Sequence, residues 1–227
     1  MELSLREIKY AKTKFDIVEA TRSFLLEGTF AECSVKDICK KAQISEATFF
    51  NYFSKKEHLL SFIAQIESTK ILLKAKNNSP EEGLKRVEWL VHFMGQKVEE
   101  SLGLMVEFLF CLIRKPFKVE SISLTPAEVK LFFETEDNHE SIQIKEFGVS
   151  ILENIIVAHD NGSLSKDIDA YELTYSIMSM IIGIPILLQR EKMHECPLAQ
   201  KRFAKRNISQ LLSRNLAMIF KGAGVKV

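Results

Sequence analysis

Apolar positions between residues 34 and 60 recur at helical spacing, and serines interrupt the pattern. Ser34, Ser45 and Ser54 each precede a new helical pattern, where a serine hydroxyl can accept a hydrogen bond from a free backbone N–H group. The first and third serines are followed three residues later by an acidic residue, which is the spacing of a capping box. The pattern predicts two short helices joined by a turn, followed by the start of a third helix.

The apolar positions of the two short helices have the spacing that gives crossed helices a shared small core. They are Ile38, Cys39, Ala42, Ile44, Phe49 and Phe53. The outward positions are polar or small, so they are free to face solvent or a partner. They are Lys36, Lys40, Glu46, Ala47, Thr48, Asn51 and Tyr52. The stretch therefore predicts a small helical unit with one polar face.

This stretch resembles the helix-turn-helix of the tetracycline-repressor-like (TetR) family of transcription regulators. The residues at the family's spacing are Ile44, Ser45, Thr48, Phe49, Tyr52, Phe53, Lys56 and Leu59. The similarity covers about the first 75 residues. Gln43 stands where the family often has Gly in the turn, so a left-handed backbone there would cost about 1 kcal/mol. Phe50 replaces a usual Tyr, which removes a phosphate-directed hydroxyl.

The resemblance implies that the second short helix lies in the major groove of DNA, where side chains near its N-terminus reach base edges. Glu46, Thr48 and Asn51 are the candidates for reading bases. By family position, Lys36 also approaches the groove, while other residues face phosphates. The full candidate interface is Lys36, Ser45, Glu46, Ala47, Thr48, Phe50, Asn51, Tyr52 and Lys56. The alternative is that these are solvated polar residues of a small helical bundle.

Helical patterns continue along the chain, and no stretch shows the alternation and hairpin turns of strands. The predicted helices span 13–28, 54–76, 84–101, 102–115, 125–135, 141–159, 169–190 and 197–221, after a loosely held leader or an extra helical turn at 1–12. The break at 77–80 begins another capping box, from Ser79 to Glu82, with Pro at its first helical position. The sequence predicts an all-α fold with two domains. They are an N-terminal three-helix helix-turn-helix domain with its linking helix, at 1–76, and a C-terminal helical ligand-binding and dimerisation domain, at 77–227.

Composition refines this picture. The 227 residues are 46% hydrophobic with a formal net charge of +1, which indicates a globular, soluble protein. Residues 1–76 carry +3 and the remainder −2, so the positive excess lies at the predicted DNA-binding end. The longest apolar run, 177–188, is shorter than the roughly 20 residues of a membrane span, and the N-terminus lacks a signal-peptide core. We therefore expect a cytoplasmic protein without a membrane span.

The second domain is rich in Phe and Met, and TetR-like proteins hold an inducer there between helices. The candidate ligand-binding residues are Trp89, Phe93, Phe108, Phe147 and Met178. Aromatic and Met side chains suit an apolar or flat ligand. The alternative for each of these residues is an ordinary place in the core.

Catalytic and metal-binding motifs are missing from the sequence. The five His show no H-E-x-x-H or related spacing, and the four Cys show no C-x-x-C, so reduced thiols and no metal site are expected. Nucleophile-elbow and phosphate-loop motifs are also missing. We therefore expect neither an enzyme nor a bound cofactor.

The last two predicted helices carry long apolar faces, and TetR-like proteins dimerise through the corresponding pair. The faces comprise Tyr175, Ile177, Met178, Ile181, Ile182 and Ile186 on one helix and Ile208, Leu211, Leu212, Leu216 and Ile219 on the other. A two-fold dimer would supply two reading heads for a palindromic site. The sequence thus predicts a homodimeric, ligand-responsive DNA-binding repressor. The alternative is a helical carrier or sensor of an apolar ligand that does not read DNA.

Overall fold

The computed structural model describes residues 3–27, 30, 32–79, 81–100, 102–114, 124–133, 147–193 and 207–225. Within these ranges the secondary structure is helical, without strands, which confirms the predicted all-α class. The helices are α1 (Leu5–Leu26), α2 (Val35–Ala42), α3 (Glu46–Tyr52), α4 (Lys56–Asn78), α5 (Leu84–Glu100), α6 (Leu102–Arg114), α7 (Pro126–Phe133), α8 (Phe147–Asp160), α9 (Ala170–Met193) and α10 (Ile208–Gly222).

Two compact units divide the chain. Unit 1 consists of residues 1–70 and 107–144, and unit 2 consists of residues 71–106 and 145–227. The division falls inside α4 and inside α6, so each of these helices contributes residues to both units. The stretch with the predicted helix-turn-helix belongs to unit 1.

Helix α1 begins eight residues before Thr13, where the apolar stripe predicted its start. A capping box stabilises the earlier start, because the Ser4 hydroxyl accepts from the Glu7 N–H (3.3 Å) and the Glu7 carboxylate accepts from the Ser4 N–H (2.9 Å). Of the two alternatives for residues 1–12, the structure therefore supports a helix, extended by about two turns. The expected cap at Gly28 lies outside the described residues.

The capping signals of the two short helices are confirmed, and that of the third is wrong. Ser34 forms a complete capping box with Asp37 at the start of α2, and Ser45 accepts from the Thr48 N–H (3.1 Å) at the start of α3. Helix α4 begins at Lys56, two residues after Ser54. The Ser54 hydroxyl instead lies 2.7 Å from Nδ1 of His58.

The core of unit 1 joins α1, α3 and α4 to α7 through aromatic rings. Phe49 is fully buried, and its ring contacts Phe53 at a centroid separation of 5.9 Å. Phe132, on α7, lies 5.4 Å from the ring of Phe15 and 5.4 Å from that of Phe62. Although α7 is distant in sequence, it is part of the same packed unit as the helix-turn-helix.

The core of unit 2 is formed by α5, α8, α9 and α10. Its central side chains are fully or almost fully buried and include Val87, Leu90, Ile151, Ile155, Ile177 and Leu212. Helices α5 and α10 approach very closely, because a Cβ placed on Gly95 would lie only 2.4 Å from the Cα of Ser209. Glycine is therefore needed at this crossing.

Several expectations for this part of the chain need correction. The predicted capping box at Ser79 does not start a helix, because α5 begins at Leu84 and the Ser79 hydroxyl donates to the Glu81 carbonyl (3.2 Å). Leu212 and Leu216 are 0% and 2% exposed. These two leucines belong to the core of unit 2, and they are not available on the outer face of α10 for contact with a second chain.

The outer face of α9 remains apolar. Tyr171 and Tyr175 are 62% and 71% exposed, and Met218 on α10 is 71% exposed. Residues 170–189 of α9 are the one stretch among the described residues that is long and apolar enough to cross a membrane, with 28% of its window buried. The same helix buries Ile177 and Ile181 in the core of unit 2, so its composition reflects a buried face together with an exposed apolar face.

Candidate nucleic-acid interface

The turn between α2 and α3 has the left-handed backbone that the sequence comparison anticipated. Gln43 has φ 55° and ψ 44°, and its N–H group donates to the carbonyls of Cys39 and Lys40. A left-handed C-cap closes a helix by satisfying its last carbonyls, and a side chain other than Gly pays a steric cost there. The sharp reversal fixes the angle at which α3 leaves α2.

Helix α3 is anchored on one side and exposed on the other. Phe49 is fully buried, whereas Glu46, Ala47 and Asn51 are exposed and Phe50 is 51% exposed. The candidate residue Lys36, in the first turn of α2, is also exposed. The structure therefore places these five candidates on the accessible side of the helix-turn-helix.

Two hydroxyls at the start of α3 are already engaged with each other. Ser45 caps the helix, and its Oγ lies 2.8 Å from Oγ1 of Thr48. This contact fixes the rotamers of both side chains. A hydroxyl donates one hydrogen bond and can accept others, so Thr48 keeps capacity for a further partner.

Tyr52, at the C-terminal end of α3, is held by the extended part of α1. Its ring lies 4.5 Å from that of Tyr10, with an interplanar angle of 33°. The pKa of the Tyr10 hydroxyl is raised, mainly by burial and further by the nearby Glu128 and Tyr52. The sequence pattern did not predict this contact, because it left residues 1–12 as either a loosely held leader or an extra helical turn.

Lys56 has a structural role that its sequence position did not reveal. Its Nζ donates to the carbonyls of Phe30 (2.5 Å) and Cys33 (2.6 Å) and lies 4.2 Å from the centroid of the Phe30 ring. Lys56 thus closes the loop before α2, and its contact with DNA stays a prediction.

The two cysteines in this region are buried and free. Burial raises the pKa of the Cys33 thiol, although the Lys56 charge acts in the opposite direction. Burial and then the charge of Glu46 raise the pKa of Cys39. The expectation of buried thiols is confirmed for these two residues, while Cys111 and Cys196 lie outside the part whose side chains are described.

A buried ion pair joins α7 to α1 in unit 1. Lys14 Nζ lies 2.6 Å from Glu128 Oε1, and the two side chains are only 12% and 2% exposed. The second carboxylate oxygen of Glu128 accepts from the Thr125 N–H (2.7 Å), as the predicted Thr125 capping box requires. Lys14 also lies 4.2 Å from the centroid of the Phe62 ring. The sequence predicted α7 and its cap but not the partner of Glu128.

The candidate ligand-binding residues of unit 2 differ in how deeply they are buried. Trp89 and Phe93 are partly buried and stack on α5 at 4.8 Å with an interplanar angle of 14°. Phe147 is buried in the core, and Met178 on α9 packs near Gly148. Phe108 belongs to α6, but its side chain lies outside the described residues. No grouping of His, Cys, Asp or Glu that could hold a metal ion occurs in the described part of the chain.

The sequence model of the family described as "Bacterial regulatory proteins, tetR family" matches residues 17–62, which contain α2, α3 and the start of α4. This stretch carries the N-terminal domain of the TetR family. The match ends near the point at which α4 leaves the helix-turn-helix, and the predicted resemblance is thereby confirmed. A comparison with curated protein sequences finds no match.

Solved structures of TetR-like fold align with nearly the whole chain. The fatty acid degradation regulator FadR from Bacillus halodurans has a TM-score of 0.63 at 14% identity and covers 96% of each chain. Thermus thermophilus FadR, a TetR-family transcriptional repressor solved with lauroyl-CoA, has a TM-score of 0.62 at 17% identity, with coverage of 94% and 96%. Salmonella enterica GusR has a TM-score of 0.56 at 17% identity, with coverage of 92% and 96%. At these identities the likeness establishes the fold.

Proposed function

We propose that this protein is a TetR-family regulator, a homodimeric repressor that reads a palindromic operator and releases it when a small, largely apolar ligand binds. The observation that carries the proposal is the orientation of α3. Phe49 anchors one side of this helix in the core, while Glu46, Ala47 and Asn51 are exposed on the other. A short helix held rigidly with an accessible polar face is the element that such proteins insert into the major groove. The protein acts in the cytoplasm without catalysis.

Dimerisation is supported by the exposed apolar face of α9 and α10. Tyr171 and Tyr175 follow at i and i+4, so they share one face of α9, and Met218 is exposed on α10. Burial of apolar surface contributes about 25 cal/mol per Å², and a face of this kind in a second copy would supply the complement. We propose that α9 and α10 of two protomers form the interface.

Substitutions on this face test the dimer. Tyr175→Glu and Met218→Glu should give folded monomers with weakened operator binding, because both side chains are exposed in the single chain. Leu26→Glu, at a position of α1 in unit 1 that is 61% exposed, is a control for the introduced charge and should leave the protein dimeric. Sedimentation velocity measures the oligomeric state. A monomeric unmutated protein at micromolar concentration, even with DNA, would refute the dimer.

A long-chain acyl thioester is the first effector to test, because the Thermus thermophilus neighbour was solved with lauroyl-CoA. The partly buried Trp89 and Phe93 pair, with Met178, offers apolar side chains of suitable chemistry in unit 2. A ligand lowers DNA affinity only by its differential affinity for the two states of the protein. Helix α4, which contributes to both units, is the covalent route for such coupling.

The deciding experiment starts with selection of bound duplexes from a random pool, using the full-length protein. Binding to the selected duplex is then measured by fluorescence anisotropy from 50 to 300 mM KCl, with and without lauroyl-CoA. A reader of DNA gives a palindromic consensus and an affinity that falls steeply with salt. A carrier of apolar ligands without DNA reading would bind the acyl thioester and select no consensus. Lauroyl-CoA without effect on a protein that selects a consensus would refute this effector only.

Glu46 tests whether α3 reads bases. A carboxylate accepts hydrogen bonds only, so its favourable partner in the major groove is the amino group of cytosine. Glu46→Gln should relax the preference at one base pair in each half-site, with a loss of discrimination of about 1–3 kcal/mol. Glu88→Gln, the same change at an exposed position of α5 in unit 2, is the matched control and should leave every base preference unchanged. Identical base preferences at every position in the Glu46 variant would show that Glu46 only complements the positive end of α3.

A further inference from the structure

The extension of α1 contacts the end of α3, the helix that we propose to read DNA. The C-terminal end of α3 meets α1 through the Tyr52 and Tyr10 rings, 4.5 Å apart. The turn that precedes α3 borders α1 further along its length, because Gln43 lines the same surface groove as Asp16 and Ala20. The end of α3 and the turn that precedes α3 therefore both border α1, the first at Tyr10 and the second at residues 16–20.

Two exposed cations of α1 lie on this side. Arg6 precedes Tyr10 by four residues, so both side chains lie on the same helix face. Lys9 precedes Asp16 by seven residues and Ala20 by eleven, so it lies on the face that borders the turn. Both cations are exposed, and neither makes an ion pair within the described part of the chain.

The surroundings of these cations leave their charge available. The carboxylate of Glu7 accepts from the N–H and the hydroxyl of Ser4, and that of Asp16 pairs with Lys12 at 3.4 Å. The hydrogen bonds from Ser4 lower the pKa of Glu7, so this carboxylate is ionised but engaged at the helix start. The site depends on the side chains of Arg6 and Lys9 and does not use the free amides of the helix end, which Ser4 caps.

We infer that Arg6 and Lys9 form a second DNA contact, in which they bind phosphates of the backbone that borders the groove occupied by α3. The major groove is about 12 Å wide, so a helix seated in it has phosphates on both sides. Contacts to phosphates fix the position of a protein on the duplex without reading sequence. The inference rests on the proposed DNA reading and adds two residues that lie outside the family match at 17–62.

The salt dependence of operator binding tests the contact. Each phosphate neutralised contributes about 0.9 to the slope of log K against log salt, so a dimer that loses one contact in each half-site should lose about 1.8. Arg6→Ala and Lys9→Ala should each show this change and lower the affinity, and the double variant should lose about 3.6. The selected consensus should remain the same, since phosphates carry no base identity.

Lys130→Ala is the matched control, because Lys130 is exposed on α7, which packs on α1 through Lys14 and Phe15. Its removal lowers the net charge equally and should leave the slope unchanged. Thermal melts should show that all variants fold, since the replaced side chains are exposed. If the unmutated protein binds with a steep slope of log K against log salt and the Arg6 and Lys9 variants have the same slope, the inference is overturned but the proposed function is not. An unmutated protein that binds no duplex overturns both the inference and the proposed function.

Discussion

Removal of the Glu128 carboxylate is expected to destabilise unit 1 strongly. The carboxylate is 2% exposed and accepts from Lys14 with one oxygen and from Thr125 with the other. Breaking a buried ion pair from one side costs about 3–5 kcal/mol, because the remaining charge is left without compensation. Lys14 is 12% exposed and can partly regain water, so we expect a loss near 3 kcal/mol for Glu128→Ala. That loss corresponds to a decrease of roughly a hundredfold in the ratio of folded to unfolded protein.

The measurement is urea unfolding followed by circular dichroism at 222 nm, with Lys14→Met, Glu128→Leu and the double variant in one cycle. Replacing both partners of a buried pair by apolar side chains is often neutral or stabilising, so the double variant should be more stable than either single variant. Lys12→Met is the control, because its pair with Asp16 is largely exposed and should contribute less than about 1 kcal/mol. If the double variant loses as much unfolding free energy as the two single variants together, the reasoning is refuted.

Three further predictions concern single positions. Gly95→Ala should lower the free energy of unfolding by about 1–3 kcal/mol or more, because the added Cβ would clash with the backbone of Ser209. Gly103→Ala is the control: a Cβ there has no neighbour within 4 Å, so the change should be neutral or stabilising by up to about 1 kcal/mol, and thermal melts of both variants check this. Gln43→Gly should stabilise the protein by about 1 kcal/mol in urea unfolding, because it relieves the left-handed strain, and a loss of stability would contradict that account. Lys56→Ala should lower the melting temperature, because the carbonyls of Phe30 and Cys33 lose their donor. It should also flatten the salt dependence of operator binding, and an unchanged slope of log K against log salt would leave Lys56 with its structural role only.

The sequence alone determined the parts of the fold that depend on neighbouring residues. The Ser34, Ser45 and Thr125 caps need only hydroxyls and amides within three residues, so their spacing identified the starts of α2, α3 and α7. The left-handed turn at Gln43 was implied by the resemblance to the TetR family, which often has Gly at this position, and the structure shows it. The same local logic failed at Ser54, whose hydroxyl found His58 as a partner.

Only the tertiary structure decided which side chains meet across the chain. Helical periodicity predicts an apolar stripe, but α10 is apolar over a wide arc. Leu212 and Leu216 are buried and Met218 is exposed because of where α5 and α9 pack on this helix. The partner of Glu128 lies 114 residues away, and no local pattern can specify such a pair. Lys56 likewise closes a loop 23 and 26 residues before it. These contacts depend on surface shape and burial, which a one-dimensional pattern of residue types does not contain.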